Sequence, residues 1–208
     1  MMIPRPVPFT ADERALIKDT SFFRAKAVIG KKVKGTLLAL HDALKEEIVL
    51  SSLLAPEGVD LQIGQFVKGE HLEEFPYQYL DLPKFFTHTE KFTFRSLFWW
   101  GHYFVFAFIL EGPYLEQYKK NLLASYEKIS GQGLSVSLAS TPWEWRNHPE
   151  LLLEIRSDNE KVVADALVTR PWLKIQRIIE FDDPRFEEGR MIEAGRETFR
   201  LMRGIVSV

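Results

Sequence analysis

Apolar residues recur at two periods along the chain, and the alternation between them sets out the elements. Thr10 and Glu13 have capping-box spacing and predict a short helix to about Asp19. Ile29, Val33, Leu37, Leu40, Leu44 and Ile48 follow at steps of three and four, the stripe of a longer helix that buries one face, with Gly30 and Gly35 weakening its start. Residues 55–90 are interrupted by Pro56, Gly58, Gly64, Gly69, Pro76 and Pro83, a pattern that suits short strands or loops.

Phe92 to Leu110 is apolar on both sides of Trp100-Gly101-His102-Tyr103. Glycine first in a two-residue loop suits a type II′ hairpin turn. That register sets Trp100 opposite Tyr103 and Arg95 opposite Phe108, which puts Arg95 among Trp99, Leu97, Phe104, Phe106 and Phe108. Strands apolar on both faces belong in the middle of a covered sheet. Pro113 to Ile129 reads as an amphipathic helix with Leu115, Tyr118, Leu122 and Tyr126 on one side, ended by Gly131 and Gly133.

Leu134 to Ala139 reads as a strand, and Ser157 with Glu160 as a capping box before a helix to about Val168. Trp172 to Phe181 is a strand with Leu173, Ile175, Ile179 and Phe181 on one face, which leaves Arg177 either buried among them or turned out by a bulge. Asp183 and Pro184 open a last helix, whose Glu187/Arg190, Glu193/Arg196 and Glu197/Arg200 pairs are expected on its solvent side. The class is α+β: an antiparallel-rich sheet around a central aromatic hairpin (about 92–110), packed by N-terminal, middle and C-terminal helices. A single domain, 1–208, with an extended proline-rich arm at 1–9, is expected.

Three stretches carry a resemblance. Pro76-Tyr77-x-x-Leu80-Asp81-x-Pro83-x-Phe85, then Phe94-Arg95-x-x-Phe98-Trp99-Trp100-Gly101-His102-Tyr103-Phe104, then Pro142-Trp143-x-Trp145-Arg146-x-His148-Pro149 together resemble a family of bacterial conserved proteins of unknown function. The order of elements, an aromatic hairpin followed by a helix from near Pro113, is also distantly similar to the YktB-type family. Neither resemblance implies an activity.

The 208 residues contain no cysteine, which removes thiolate nucleophiles and cysteine-built metal sites and leaves a cytoplasmic location as the expectation. A net charge of −2 offers no global field for nucleic acid, which is therefore not an expected partner. Arg24, Lys26, Lys31, Lys32 and Lys34 form a local run without an acid, either a solvated helix face or a weak contact for RNA or an acidic partner. The N-terminus has no apolar leader, and the run Leu97–Leu110 is fourteen residues against the roughly 20 of a spanning helix, so no membrane partner is expected.

The five histidines have no metal-ligand spacing, no phosphate, dinucleotide, nucleophile-elbow or zinc-protease motif occurs, and neither metal nor cofactor is expected. Adjacent carboxylates such as Glu46/Glu47 and Asp182/Asp183 read as solvating charges.

The candidate site residues are Arg95, Asp81, Trp99, His102, Trp143, Arg146 and His148. A guanidinium on an apolar face needs a carboxylate, a ring or a bound anion, so Arg95 is either an anion clamp oriented by Asp81 or half of a buried pair. Three functions stay open. One is a non-catalytic binding module with an aromatic-lined cleft for a small anionic or aromatic molecule. The second is an enzyme using His102 or His148 with Asp81 and Arg95 as acid/base groups. The third is a structural or partner-binding protein without a pocket, and a homo-oligomer is compatible with all of them.

Overall fold

A computed structural model of the chain describes residues 7–208, so the expected arm lies outside the described residues up to residue 6, and residues 7–9 are exposed and outside any element. The chain divides into two compact units, one ending at Gly35 and one of Thr36–Val208.

In the first unit the Thr10 capping box is present, with its hydroxyl accepting from the Glu13 amide, and it opens α1, Ala11–Lys18. The second helix, α2, Thr20–Val49, starts in this unit and runs past Gly30 and Gly35 without a break. Val33, Leu37, Leu40, Leu44 and Ile48 of its stripe are buried, whereas Ile29 is exposed.

The second unit is built on a seven-stranded sheet, antiparallel throughout, in the order β1-β2-β3-β4-β7-β5-β6. The strands are β1 Gln65–Leu72, β2 Phe75–Phe86, β3 Lys91–Trp99, β4 Tyr103–Glu111, β5 Leu134–Ser137, β6 Leu152–Glu154 and β7 Leu173–Glu180. The α+β class and the central aromatic hairpin hold: β3 and β4 have paired strands on both outer edges and are buried almost throughout.

Residues 55–90 carry more order than their prolines and glycines suggest. β2 is twelve residues long, and the cis Leu82–Pro83 bond lies where the β2–β3 pairing shifts between Asp81 and Lys84, so Pro83 interrupts no ladder that needs its missing N–H.

The hairpin register is the main correction. Trp99 pairs with Tyr103 and Arg95 with Ala107, so the loop has three residues, Trp100, Gly101 and His102, with Gly101 in the left-handed region at φ +73°. In the loop the His102 ring stacks on Trp99 at 3.6 Å and meets Phe75 edge-on at 4.7 Å, and the Trp100 amide is held by the Pro76 carbonyl at 3.0 Å. A slip of one residue exchanges the faces of a strand. Phe104, Phe106 and Phe108 therefore join Phe94 and Phe98 on one face, while Arg95, Leu97 and Trp99 share the other with Tyr103, Val105, Ala107 and Ile109.

Helices cover the phenylalanine face. Between β4 and β5 lie α3, Leu115–Ala124, and α4, Tyr126–Ile129, which replace the single expected helix because the chain breaks at Ser125; Leu115, Tyr118, Leu122 and Tyr126 are all buried. Helix α5, Glu160–Leu167, begins at Asn159 rather than through a Ser157 box. The Asn159 side chain is committed elsewhere, donating to the Glu154 carbonyl and accepting from the Tyr126 hydroxyl and the Arg156 amide.

The expected last helix is two: α6, Pro184–Glu187, N-capped by Asp183, and α7, Met191–Arg203, separated at Gly189. Phe199 of α7 packs edge-on against Phe94 at 5.3 Å. Arg196 and Arg200 are not paired along the helix. Both reach Glu47 on α2, whose carboxylate is 2% exposed and receives three of their N–H groups at 2.6–2.9 Å, so Glu47 is a buried anchor and not a solvating charge. Arg177 is buried on this face and meets Glu197 at 3.4 Å.

Candidate functional site

The opposite face carries Arg95. A strap, residues 138–151, crosses it and packs Trp145 on Leu97, Trp99, Tyr103, Val105, Ala107 and Ile109. Three long side chains tie it down by its carbonyls: Tyr103 donates its hydroxyl to Trp145, Lys174 its ammonium to Glu144, and Arg170 its guanidinium to Leu138 and Ala139.

Beneath the strap a polar row crosses the apolar sheet. The register sets Asp81 opposite Arg95, Arg95 opposite Ala107, Ala107 opposite Gln176, and Gln176 opposite Ser135. Asp81 is fully buried and takes the Arg95 guanidinium in a bidentate pair, Nε to Oδ1 and Nη2 to Oδ2, each 2.8 Å. The guanidinium lies 3.8 Å from the Tyr79 ring centre, with the Trp143 and Trp145 rings at 5.2 and 5.7 Å. Arg95 is thus half of a buried pair, and its charge is already answered. Burial raises the Tyr79 phenol above its ordinary pKa.

Lys174 lies beside this pair, wholly buried, with its Nζ 4.1 Å from the Trp145 ring centre. Burial away from water pulls its pKa down to about 7, the nearby Arg95 charge adds to that, and Glu144 opposes it. Glu144 is held down at about 2, first by its hydrogen bonds from the Arg146 side chain.

The sequence-predicted residues divide into three places. Arg95, Asp81 and Trp143 come together. Trp99 and His102 stack at the hairpin end, where Trp99 Nε1 donates to the Leu72 carbonyl and His102 Nδ1 to that of Trp100, so His102 faces no carboxylate of the Arg95 pair. Arg146 and His148 are exposed on the strap; Arg146 is paired with Glu144, and His148 is 4.0 Å from Glu150. No group of three or more His, Asp or Glu among the described residues could hold a metal ion.

An open cavity of about 560 Å³ lies where the strap meets β7, β5 and β6. Its wall includes His148 and Asn147 of the strap with Gln176, Ile178, Glu180 and Glu154 of the sheet, and leaves out Arg95, Asp81, Trp99 and Trp143. Gln176 is 1% exposed, and neither its amide nitrogen nor its amide oxygen has a hydrogen-bond partner. A buried amide in that condition costs about 1–3 kcal/mol unless something fills its valences.

Sequence reasoning missed Lys174, Gln176 and Tyr79. Alternation assigns Lys174 and Gln176 to the face away from Ile175 and Ile179, where polar residues suggest water, and nothing in their own spacing announces the strap that covers them. Comparison with protein-family models, with curated proteins and with solved structures found no match.

Proposed function

We propose that the chain is a non-catalytic binding module that holds a small, uncharged, ring-bearing molecule with an amide-like edge in the cavity between the strap and β7-β5-β6. The observation that carries this reading is the unpartnered amide of Gln176, a residue of the cavity wall whose amide atoms are themselves buried. Its side chain offers a donor and an acceptor side by side, and a change of rotamer turned toward the cavity lets a lactam or amide edge satisfy both at once.

Ile178, Pro149 and Leu152 supply apolar wall for a ring. An anionic ligand is disfavoured: of the buried cations of this face, Arg95 is occupied by Asp81 and Lys174 by the Glu144 carbonyl, and the wall carries the carboxylates of Glu154 and Glu180 against the single guanidinium of Arg156.

The test is a thermal-shift titration of the parent and of Gln176→Met with 2-pyridone and with benzoate. Methionine keeps the volume and removes the unpaired amide, so the variant is expected to be more stable by about 1–3 kcal/mol in urea unfolding. 2-Pyridone is expected to raise the melting temperature of the parent and not of the variant. Equal shifts in both proteins, no shift in either, or a shift by benzoate alone would overturn the reading.

A further inference from the structure

The N-terminal helical segment presents apolar bulk to water. Helix α1 has no buried residue. Phe9, Leu16, Ile17, Phe22 and Phe23 are each more than half exposed, and Val28 and Ile29 are exposed as well. Isolated exposed side chains are ordinary, but a concentration of large ones marks an interaction surface. Residues 9–35 carry seven basic residues against the three acids Asp12, Glu13 and Asp19, and from Ser21 to Gly35 the chain carries Arg24, Lys26, Lys31, Lys32 and Lys34 and no acid.

We propose that residues 9–35 associate with an anionic lipid surface, the apolar side chains entering the headgroup boundary and the basic ones remaining among the phosphates. No helix among the described residues is long and apolar enough to cross a membrane. Lying on a surface is a different arrangement, and neither ground for expecting no membrane partner, the missing apolar leader and the missing spanning run, bears on it.

The pattern favours lipid over the other occupants. On α2 Phe22 and Ile29 continue the side of the Val33/Leu37 stripe, while Phe23 and Val28 sit about 100° to either side of it, so the exposed apolar side chains spread wider than the narrow seam a partner helix follows. Lys26 interrupts that side where a helix partner would need an apolar knob, whereas a lipid surface accepts basic residues interleaved with apolar ones. A second copy would bring two basic segments together. RNA would satisfy the charges and leave the phenylalanines unexplained.

The experiment is co-sedimentation of the full chain with phosphatidylcholine vesicles, with and without phosphatidylserine, at increasing salt. Binding is expected only when phosphatidylserine is present and is expected to fall with salt. Arg24→Gln/Lys31→Gln/Lys34→Gln should weaken it by roughly 100-fold, taking about 1 kcal/mol per basic residue. Phe22→Ser/Phe23→Ser should release the protein into the supernatant even at low salt.

Equal sedimentation with both vesicle types, or none with either, would overturn the proposal. So would binding that tracks the charges but ignores the phenylalanine substitutions, the behaviour expected of an RNA or acidic-protein contact. Should a variant melt below the parent, the lipid and salt dependence of the unaltered chain still decides the matter.

Discussion

A guanidinium on a water-excluding sheet face has to be neutralised where it stands, and the Asp81 carboxylate directly across the β2–β3 ladder does this for Arg95 in two 2.8 Å hydrogen bonds. Removing one partner of such a pair strands the other. Arg95→Met is therefore expected to lower the unfolding free energy by about 3–5 kcal/mol, read from the urea midpoint, and Arg95→Met/Asp81→Leu to recover most of the loss. A variant melting with the parent would mean that Arg95 is not holding a buried charge.

Lys174 makes the opposite kind of statement, because burial lowers its pKa from 10.5 to about 7 in the fold. Between those values the unfolded chain binds a proton that the folded chain does not, so stability rises with pH across the window, by at most about 1.4 kcal/mol per unit. Below about 7 both states are protonated and the cost of burying the charge is present in full. The urea midpoint should climb from pH 7 to about pH 9 and stay flat over that range in Lys174→Met. A parent profile as flat as the variant's would show that the amine is solvated.

Elements whose identity depends on their own period were legible in the sequence, and features that depend on another element were not. The α2 stripe and the buried side of α3 could be read because a helix repeats its core positions every three or four residues whatever it packs on. The hairpin was legible as an element but not in its register, since the three-residue loop is held by contacts from another strand, the Pro76 carbonyl on the Trp100 amide and the Phe75 ring edge-on to His102 at 4.7 Å. That slip reassigned three phenylalanines and set Arg95 among different neighbours, so the candidate site inherited the error.

Arg95 with Asp81 was legible because an arginine in an apolar run demands a partner, whereas the strap over Lys174 and Gln176 is set by long-range hydrogen bonds that leave no local period. Helix α7 shows the same dependence. A side chain at Gly195 would bring its first carbon to 2.4 Å from Leu40 of α2 and 3.0 Å from the Phe106 ring, so this glycine answers the close approach of α7 to α2 and to the sheet and not a turn. Arg196 and Arg200 looked like partners for acids on their own helix, and only the placement of α2 turns them to Glu47.

At the scale of the molecule, burial is concentrated at the middle of the sheet and thins to nothing at α1. β4 has strands hydrogen-bonded on both edges, with the strap on one face and α7 on the other, so its amides can meet water only when the sheet itself comes apart. Helix α1 has eight residues and no buried side chain, and a helix that short is marginal in water without tertiary support. Its capping box satisfies two end groups without tying it to a core. Hydrogen exchange of the free protein should therefore span nearly the whole range the fold allows. The amides of β3, β4 and β7 should exchange at the rate set by global unfolding and slow together when the protein is stabilised, while those of residues 11–18 exchange by local opening and ignore the change. Gln176→Met, expected to stabilise the sheet, supplies that comparison in one substitution. Protection of the α1 amides as strong as that of β4, moving with it in the variant, would mean that α1 is held by an interface in solution, and a dimer seen by sedimentation would then identify its cover as a second copy of the chain.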